Sequence, residues 1–480
     1  MLMLLVLLPV LTAAMVALFS DRSSASQNVS SLIVKLSTAL GFIWALHYLN
    51  FFLAQPDFKL IQTIHWFSVG TLPFDLIWRL DGLSLFFVIS TGLIFTVVSL
   101  TQYAKTQNQK LFNVSFLLLQ AAIYGVFLSF NLLQFYFFWE LLLVPAFILM
   151  GAFGTAHGRG AALKFILFTF VFSLFMFIGI LYLGATAGFD LEVLSKTVLD
   201  PMVAKWLCLV FLLAFMVKLP LMPLHFWLKP ALTESPKLMS TIFVALLFQL
   251  GIYALVRIPV TLFPAVLADW SILIYILSAL TIWLGAFIAI TQKELRSLLA
   301  FSSLSHMGLM LAGLATLKIG AVTGALFLSL THGLTAAVLF LLIGYLDERR
   351  GTTEISEFGG LAVKTPRLAV FFVITVFTYI ALPGLANFVG EFLVFVGLFQ
   401  AVKWGGLFFT AGVILGAAYM LWMVERVFFG NFHHQNKNIT DLSLKEKLVV
   451  APLTILFLLL GLYPNLIIKP IEAVLKGILK

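Results

Sequence analysis

The sequence predicts an all-α membrane protein with about fourteen transmembrane helices, arranged around two inverted five-helix repeats. Three observations carry that expectation. The chain is 62% hydrophobic and only 10% charged, with a mean hydropathy of +1.10, whereas a soluble globule is roughly half apolar and a quarter charged. Apolar runs of roughly 20 residues follow one another, each long enough to cross about 30 Å of hydrocarbon as a helix. Two of these runs are interrupted by proline, five spans apart. A β-barrel is excluded, because the runs are continuous and rich in Leu and Phe rather than alternating over about ten residues.

The runs fall near 2–20, 31–54, 80–101, 111–129, 131–153, 162–187, 203–228, 237–260, 269–291, 295–316, 320–346, 367–401, 404–429 and 446–468. Residues 1–110 read as an N-terminal three-helix segment and 111–260 as a first repeat, helices 4–8. Residues 269–429 read as the second repeat, helices 9–13, and 430–480 as a loop and last helix. The first run, "MLMLLVLLPVLTAAMVALFS", lacks the basic n-region of a secretory signal and reads as an uncleaved span. Connections are short except at 55–79, 188–202, 347–366 and 430–445, and no segment reads as a soluble domain.

Lys and Arg set the orientation. Odd-numbered loops and their flanks carry eighteen of them, including Arg22, Lys105, Lys229 and Lys237. Even loops and the C-terminus carry ten, including Arg79, Arg257 and Lys480. The odd loops are therefore expected on the cytoplasmic side and both termini on the other. Lys218 belongs to no loop.

Helix 7 contains "KLPLMPLHFWLKP" (218–230), with Pro220 and Pro223, and helix 12 contains "ALPGLANFVGEF" (381–392), with Pro383, Gly384 and Gly390. Proline removes a backbone donor and clashes with the preceding turn, so both helices should break there. Such a break survives in lipid only where protein or water satisfies the freed groups. Because five is odd, repeats that place the breaks in register are inverted, an arrangement found in transporters with midplane sites.

A charge at the bilayer centre costs roughly 2.5–3.5 kcal/mol on insertion scales, so each one needs a partner, water or a function. Glu140 lies in helix 5 within "FYFFWELLLVP", Lys218 beside the first break and Glu391 just past the second. Gln249 lies in helix 8, His306 in helix 10 and His332 in helix 11, beside Thr331. A Glu140–Lys218 pair reads either as a structural lock or as a proton switch. Burial disfavours a charged ammonium and a nearby carboxylate favours it, so changing their separation would load or release a proton. A buried pair stabilises no better than apolar packing, which makes stability a poor reason for it. Glu391 reads as a carboxylate bonded to the freed amides or as a proton acceptor at the end of a polar axis. His332 reads as a relay. His306, with Ser302, Ser303 and Ser305 beside it, reads equally as interhelical packing. His225 reads as a cap of the broken helix, and His433 and His434 as loop residues.

Other chemistries are not represented. Each candidate histidine in the helices stands alone, without HxxxH or HExxH spacing, so no metal site is expected. The single cysteine, Cys208, excludes a disulfide framework and a thiolate metal site. No P-loop, no GxGxxG in a strand context and no Ser-His-Asp arrangement is present, so no nucleotide or flavin site and no redox centre is expected on this chain. The net charge of +9 is assigned to cytoplasmic loops rather than to nucleic-acid binding.

The stretches "FFWELLLVP", "KLPLMPLHFWL", "QKELRSLLAFSSLSHMG", "THGLTAAVLFLLIGYL" and "LPGLANFVGEF" together resemble the antiporter-like membrane subunits of respiratory complex I. The resemblance runs from "LDGLSLFFVIS" (80–90) to "RVFFGNF" (426–432). It implies a fourteen-helix fold with two inverted repeats, seated in a membrane arm beside other antiporter-like subunits and in the lipid bilayer of a bacterial inner membrane. It also implies proton translocation driven by a redox arm whose NADH, FMN, iron–sulfur clusters and quinone are held by partner subunits. Carried over by position, Glu140 matches the family's helix-5 glutamate, Lys218 its helix-7 lysine, Glu391 a helix-12 glutamate, and His306 and His332 the polar-axis histidines. L-type and N-type subunits and Mrp antiporter subunits usually carry lysine at this point of helix 12, so Glu391 marks a different type.

Two places depart from the family. Its helix 8 usually reads "LLLK", and here it reads "LLFQ", ending in Gln249. An amide orders water but does not hold and release a proton near neutral pH. Next to it, "LKPALTESPKLMS" replaces the usual "LPDAHxxAPTAGS" and brings Lys229 and Lys237 close. Three readings stay open: the charge has moved, water bridges Lys218 to His332, or the subunit pumps poorly. Two other functions compete with redox-driven pumping, a cation/proton antiporter without redox coupling and a structural spacer.

Overall fold

The computed structural model describes residues 2–20, 23–69, 72–101 and 108–479. Arg22, Lys105 and Lys480, counted above in the charge bias, lie outside the described residues. Each of the fourteen apolar runs holds a helix. They are α1 (Met3–Ala17), α2 (Ser24–Ala54), α3 (Leu85–Leu100), α4 (Gln109–Leu128), α5 (Leu132–Phe153) and α6 (Gly158–Ala187). After them come α7 (Pro201–Lys218, resuming at Leu228–Thr233), α8 (Lys237–Val260), α9 (Ser271–Ile290), α10 (Leu295–Ala315) and α11 (Ile319–Arg350). The last three are α12 (Pro366–Tyr379, resuming at Ala386–Val402), α13 (Gly406–Phe428) and α14 (Leu444–Leu462). Ten helices among the described residues are long and apolar enough to cross a membrane unaided, with Ala386–Phe428 counted as one, and up to eleven with the bent pair that α14 begins.

Three helices, α8, α10 and α11, are buried throughout their most apolar stretches, and they form the middle of the bundle. Around them α2, α6 and α9 turn leucine and isoleucine outward, among them Leu36, Leu167 and Ile272. Polar groups on the central helices are thus far from lipid, which is where an intramembrane charge has to be.

Both expected breaks are present and are closed alike. In the first, the Leu221 amide donates to the Met216 carbonyl at 3.2 Å, and in the second the Leu382 amide donates to the Phe377 carbonyl at 2.9 Å. Each is a reach of five residues where a helix reaches four. The indole of Trp227 adds a bond to the Val217 carbonyl at 2.8 Å, and the Thr281 hydroxyl accepts the Met222 amide at 3.2 Å. Lys218 and Tyr379 are the last residues of the two first halves.

Two elements were not expected. Residues 55–79 are not an irregular connection: strands β1 (Leu60–Val69) and β2 (Leu72–Leu80) pair as an antiparallel hairpin, Leu60 opposite Leu80, and α3 starts only at Leu85. At the other end of the chain α14 stops at Leu462, and a further helix, α15 (Asn465–Ile478), leaves it at 62°. Its buried residues are Ile467, Pro470, Ile471, Val474 and Leu475, an i, i+3, i+4, i+7, i+8 stripe. The stripe faces α11, and the Pro470 carbonyl lies where a side chain at Gly82 would stand. The hairpin's base and α15 therefore share one end of the bundle.

Candidate functional site

Local chemistry fixes the two helices that carry the first charges. Asn131 caps α5 by accepting the Leu133 and Gln134 amides, and Asp200 caps α7 by accepting those of Met202 and Val203, with Pro201 at the first turn. Lys218 is buried at 1% exposure. Its ammonium donates to the Trp139 carbonyl at 3.2 Å and lies 3.7 Å from the centre of the Trp139 ring. Glu140 is the next residue, yet no Glu140–Lys218 ion contact within 4.0 Å is present among the described residues. Its carboxylate lines a lateral groove of about 700 Å³ beside Trp66, Phe74, Trp78 and Phe177. The two side chains are neighbours out of direct ion contact.

Gln249 is fully buried on α8, in an α-helical stretch (Phe248–Leu255) between two π turns, Phe243–Leu247 and Val256–Val260. Such turns insert a residue and re-aim the side chains that follow. The Gln249 amide nitrogen donates to the Ser90 hydroxyl on α3 at 3.2 Å, and its oxygen has no partner among the described residues. On one side, Gly251 lets Leu219, the residue after Lys218, approach: a methyl there would stand 2.7 Å from the Leu219 Cβ. On the other, Gly333 of α11 presses on Gln249 itself. Gln249 is thus wedged between the end of the Lys218 helix and the His332 helix.

Lys229 and Lys237 do not replace the missing lysine. Lys229 bonds the Gln292 side chain at 3.1 Å and Lys237 bonds Asp347 at 3.2 Å, both at the odd-loop end. Lys237 is twelve residues from Gln249, about 18 Å along the helix.

The second half gathers its groups tightly. The rings of His306, His332 and Tyr379 pack at tilted and edge-on angles with centres 4.6–4.9 Å apart. Close approach of α11 to the second half of α12 at Gly324 and Gly390 brings Glu391 to them, and Glu391 Oε1 lies 3.4 Å from His306 Nε2. His306 Nδ1 sits 3.0 Å from the Ser302 carbonyl, an acceptor, so Nδ1 bears hydrogen. Both ring nitrogens of the fully buried His332 lack a hydrogen-bond partner among the described residues.

The remaining expected residues divide. Ser302 belongs to the cluster, accepting from the Tyr419 hydroxyl at 2.8 Å. Ser305 donates to the Ile282 carbonyl at 3.0 Å and Thr331 to the Leu328 carbonyl at 3.4 Å, so both serve packing. His225 is partly exposed, and its backbone carbonyl, accepting the Leu228 amide at 2.9 Å, turns the chain into the second half of α7. Tyr379, Tyr419 and Asn387 were not expected. Tyr379 had a signal, since it ends a broken helix as Lys218 does.

Arg79 and Arg257 are not loop residues either. The Asp81 carboxylate takes both ends of the Arg257 guanidinium at 2.8 and 2.7 Å and Arg79 Nε at 3.1 Å, and all three residues are at most 9% exposed.

Among the described residues, fourteen apolar helices, two matched breaks and a buried line of polar groups agree with the antiporter-like membrane subunits that the sequence resembles. Residues 129–416 match the family described as NADH:quinone oxidoreductase/Mrp antiporter, TM. The chain is 34% identical to NADH-quinone oxidoreductase subunit M of Rhodobacter capsulatus, over 96% of this chain and 92% of that one. It superposes on a chain of respiratory complex I from Thermus thermophilus with a TM-score of 0.89 and 31% identity, covering 100% of both. A chain of the Mrp complex from Dietzia gives 0.87 at 20% identity, over 100% and 97%, which shows the shared fold alone. The chain belongs to the NADH:quinone oxidoreductase/Mrp antiporter family, as one of its subunit M type.

Proposed function

We propose that this chain translocates protons in the membrane arm of an NADH:quinone oxidoreductase, driven by electron transfer in other subunits. The observation that carries the reading is the buried sequence Lys218–Gln249–His332–His306–Glu391. The sequence spans both halves and passes through the central helices α8, α10 and α11. NADH, FMN, iron–sulfur clusters and quinone belong to partner subunits, and neighbouring antiporter-like subunits flank this one. The odd-loop end faces the cytoplasm, and the hairpin and α15 lie on the opposite side, as the Lys/Arg bias requires. Inverted repeats, helices 4–8 and 9–13, account for the matched closures at the two breaks.

In this reading Lys218 is the switch. Held over Trp139 with Glu140 apart, the buried ammonium loses the partner that favours its charge, and the proton passes on. Gln249 orders the water that spans from Lys218 to His332. His306 and Glu391 then hold one proton between them for release. Remote electron transfer acts by moving Glu140 relative to Lys218.

The test is a native gel of gently solubilised membranes carrying a tagged copy, stained for NADH dehydrogenase activity. Co-migration of tag and activity is expected. A tagged band without activity favours the antiporter reading, and Na⁺/H⁺ exchange would then be measured. A second expectation concerns the joint between the halves. A methyl at Gly333 would stand 2.5 Å from both the Ala245 carbonyl oxygen and the Gln249 amide nitrogen. Gly333→Ala therefore forces α8 and α11 apart at a cost of about 1–3 kcal/mol. Proton transport in vesicles should fall several-fold while the complex still assembles.

A further inference from the structure

One polar line leaves the axis in a direction that the proposed path does not use. On α8, Gln249, Tyr253 and Arg257 recur every four residues and share a face. The Tyr253 hydroxyl donates to the Phe127 carbonyl at 2.8 Å and accepts from Arg257 Nε at 3.1 Å. Arg257 meets Asp81 and, through it, Arg79 of the hairpin. The line therefore runs from the centre of the membrane to the end that carries the hairpin and α15. A hydrated line of this kind would let protons leave Gln249 without crossing to His332.

What stands at its outer end is a positive charge. Two guanidiniums share one carboxylate, and both lie against the Phe130 ring, with centres 4.0 and 5.4 Å away. The Asp81 carboxylate also accepts the Leu83 and Ser84 amides, each at 3.1 Å, which leaves it less free to offset the second arginine. Glu192, a further carboxylate that acts on Arg79, is exposed and bonded to Lys196 at 3.2 Å, so water screens it. An unbalanced cation in a low-dielectric wall repels other cations, as arginines do in pores that exclude protons.

We propose that Asp81, Arg79 and Arg257 form an electrostatic stop that closes this outlet and sends protons sideways into the second half. The proposal rests on the proton-translocation reading, and it separates into charge and clamp. In Arg79→Gln the bidentate Asp81–Arg257 clamp remains and the net charge falls to zero. In the double variant Asp81→Asn with Arg257→Gln the clamp is gone and Arg79 keeps the net charge at one.

The experiment measures passive proton permeability of proteoliposomes holding the whole complex, under an imposed pH gradient and without NADH. Arg79→Gln should leak about tenfold faster than wild type, and the double variant should stay within about twofold of it. Wild-type permeability in assembled Arg79→Gln, or a leak in the double variant alone, would overturn the stop. Each variant decides by itself if the other fails to assemble. Failure of the underlying reading shows separately, as wild-type vesicles that do not acidify on NADH.

Discussion

Lys218→Met should abolish coupled proton translocation, lowering NADH-driven acidification of vesicles by at least about tenfold. The variant should still assemble. The ammonium contacts only a carbonyl and a ring face among the described residues, and replacing a buried charge by an apolar side chain of similar length costs little. Lys218→Arg separates the switch from a static charge. Arginine keeps the charge and the ring contact but does not release its proton, so it should fail almost as completely as methionine. Acidification restored by arginine would mean that Lys218 acts as a fixed charge, and unchanged acidification in Lys218→Met would remove it from the path. Quenching of a pH-sensitive dye, normalised to NADH oxidation, reads all three.

Arg257→Gln should have the largest effect on stability. It leaves the Asp81 carboxylate, 0% exposed, with Arg79 as its one charged contact among the described residues, and breaking a buried ion pair from one side costs about 3–5 kcal/mol. Removing both partners, as in Asp81→Asn with Arg257→Gln, should cost no less than the single change, because Arg79 then stays buried without a carboxylate. Dissociation of the complex on native gels after graded heating measures the order. A double variant clearly more stable than Arg257→Gln would show that Arg79 does not depend on Asp81 for its charge balance.

Hydropathy and proline made the membrane fold legible, because spanning length and helix breaks are set by the bilayer and the backbone and not by tertiary detail. Glu140, Lys218, His332 and Glu391 were legible for the same reason: in an apolar run a charge stands out. Arg79 and Arg257 were not, since each lies near the end of a run and reads as loop charge. Their burial depends on the hairpin folding back over the helix ends, a contact that hydropathy does not report. The π turns around Gln249 leave no mark in composition, yet they help set which way Gln249 and Arg257 point. α15 was legible in principle, through the spacing from Ile467 to Leu475, but a run drawn through Pro464 hid it. The resemblance supplied the family, and Gln249 as its exception. The geometry then removed one of the three readings of that exception, because Lys229 and Lys237 are engaged elsewhere.

The reading that carries the account is water ordered by Gln249 between Lys218 and His332. The measurement that tests it most directly is the ratio of protons translocated to NADH oxidised by the reconstituted complex, compared between wild type and Gln249→Leu. Leucine fills the site without offering the amide that orders water, so the ratio should drop while NADH oxidation continues. An unchanged ratio would contradict a path through Gln249 and with it the joining of the two halves into one proton route.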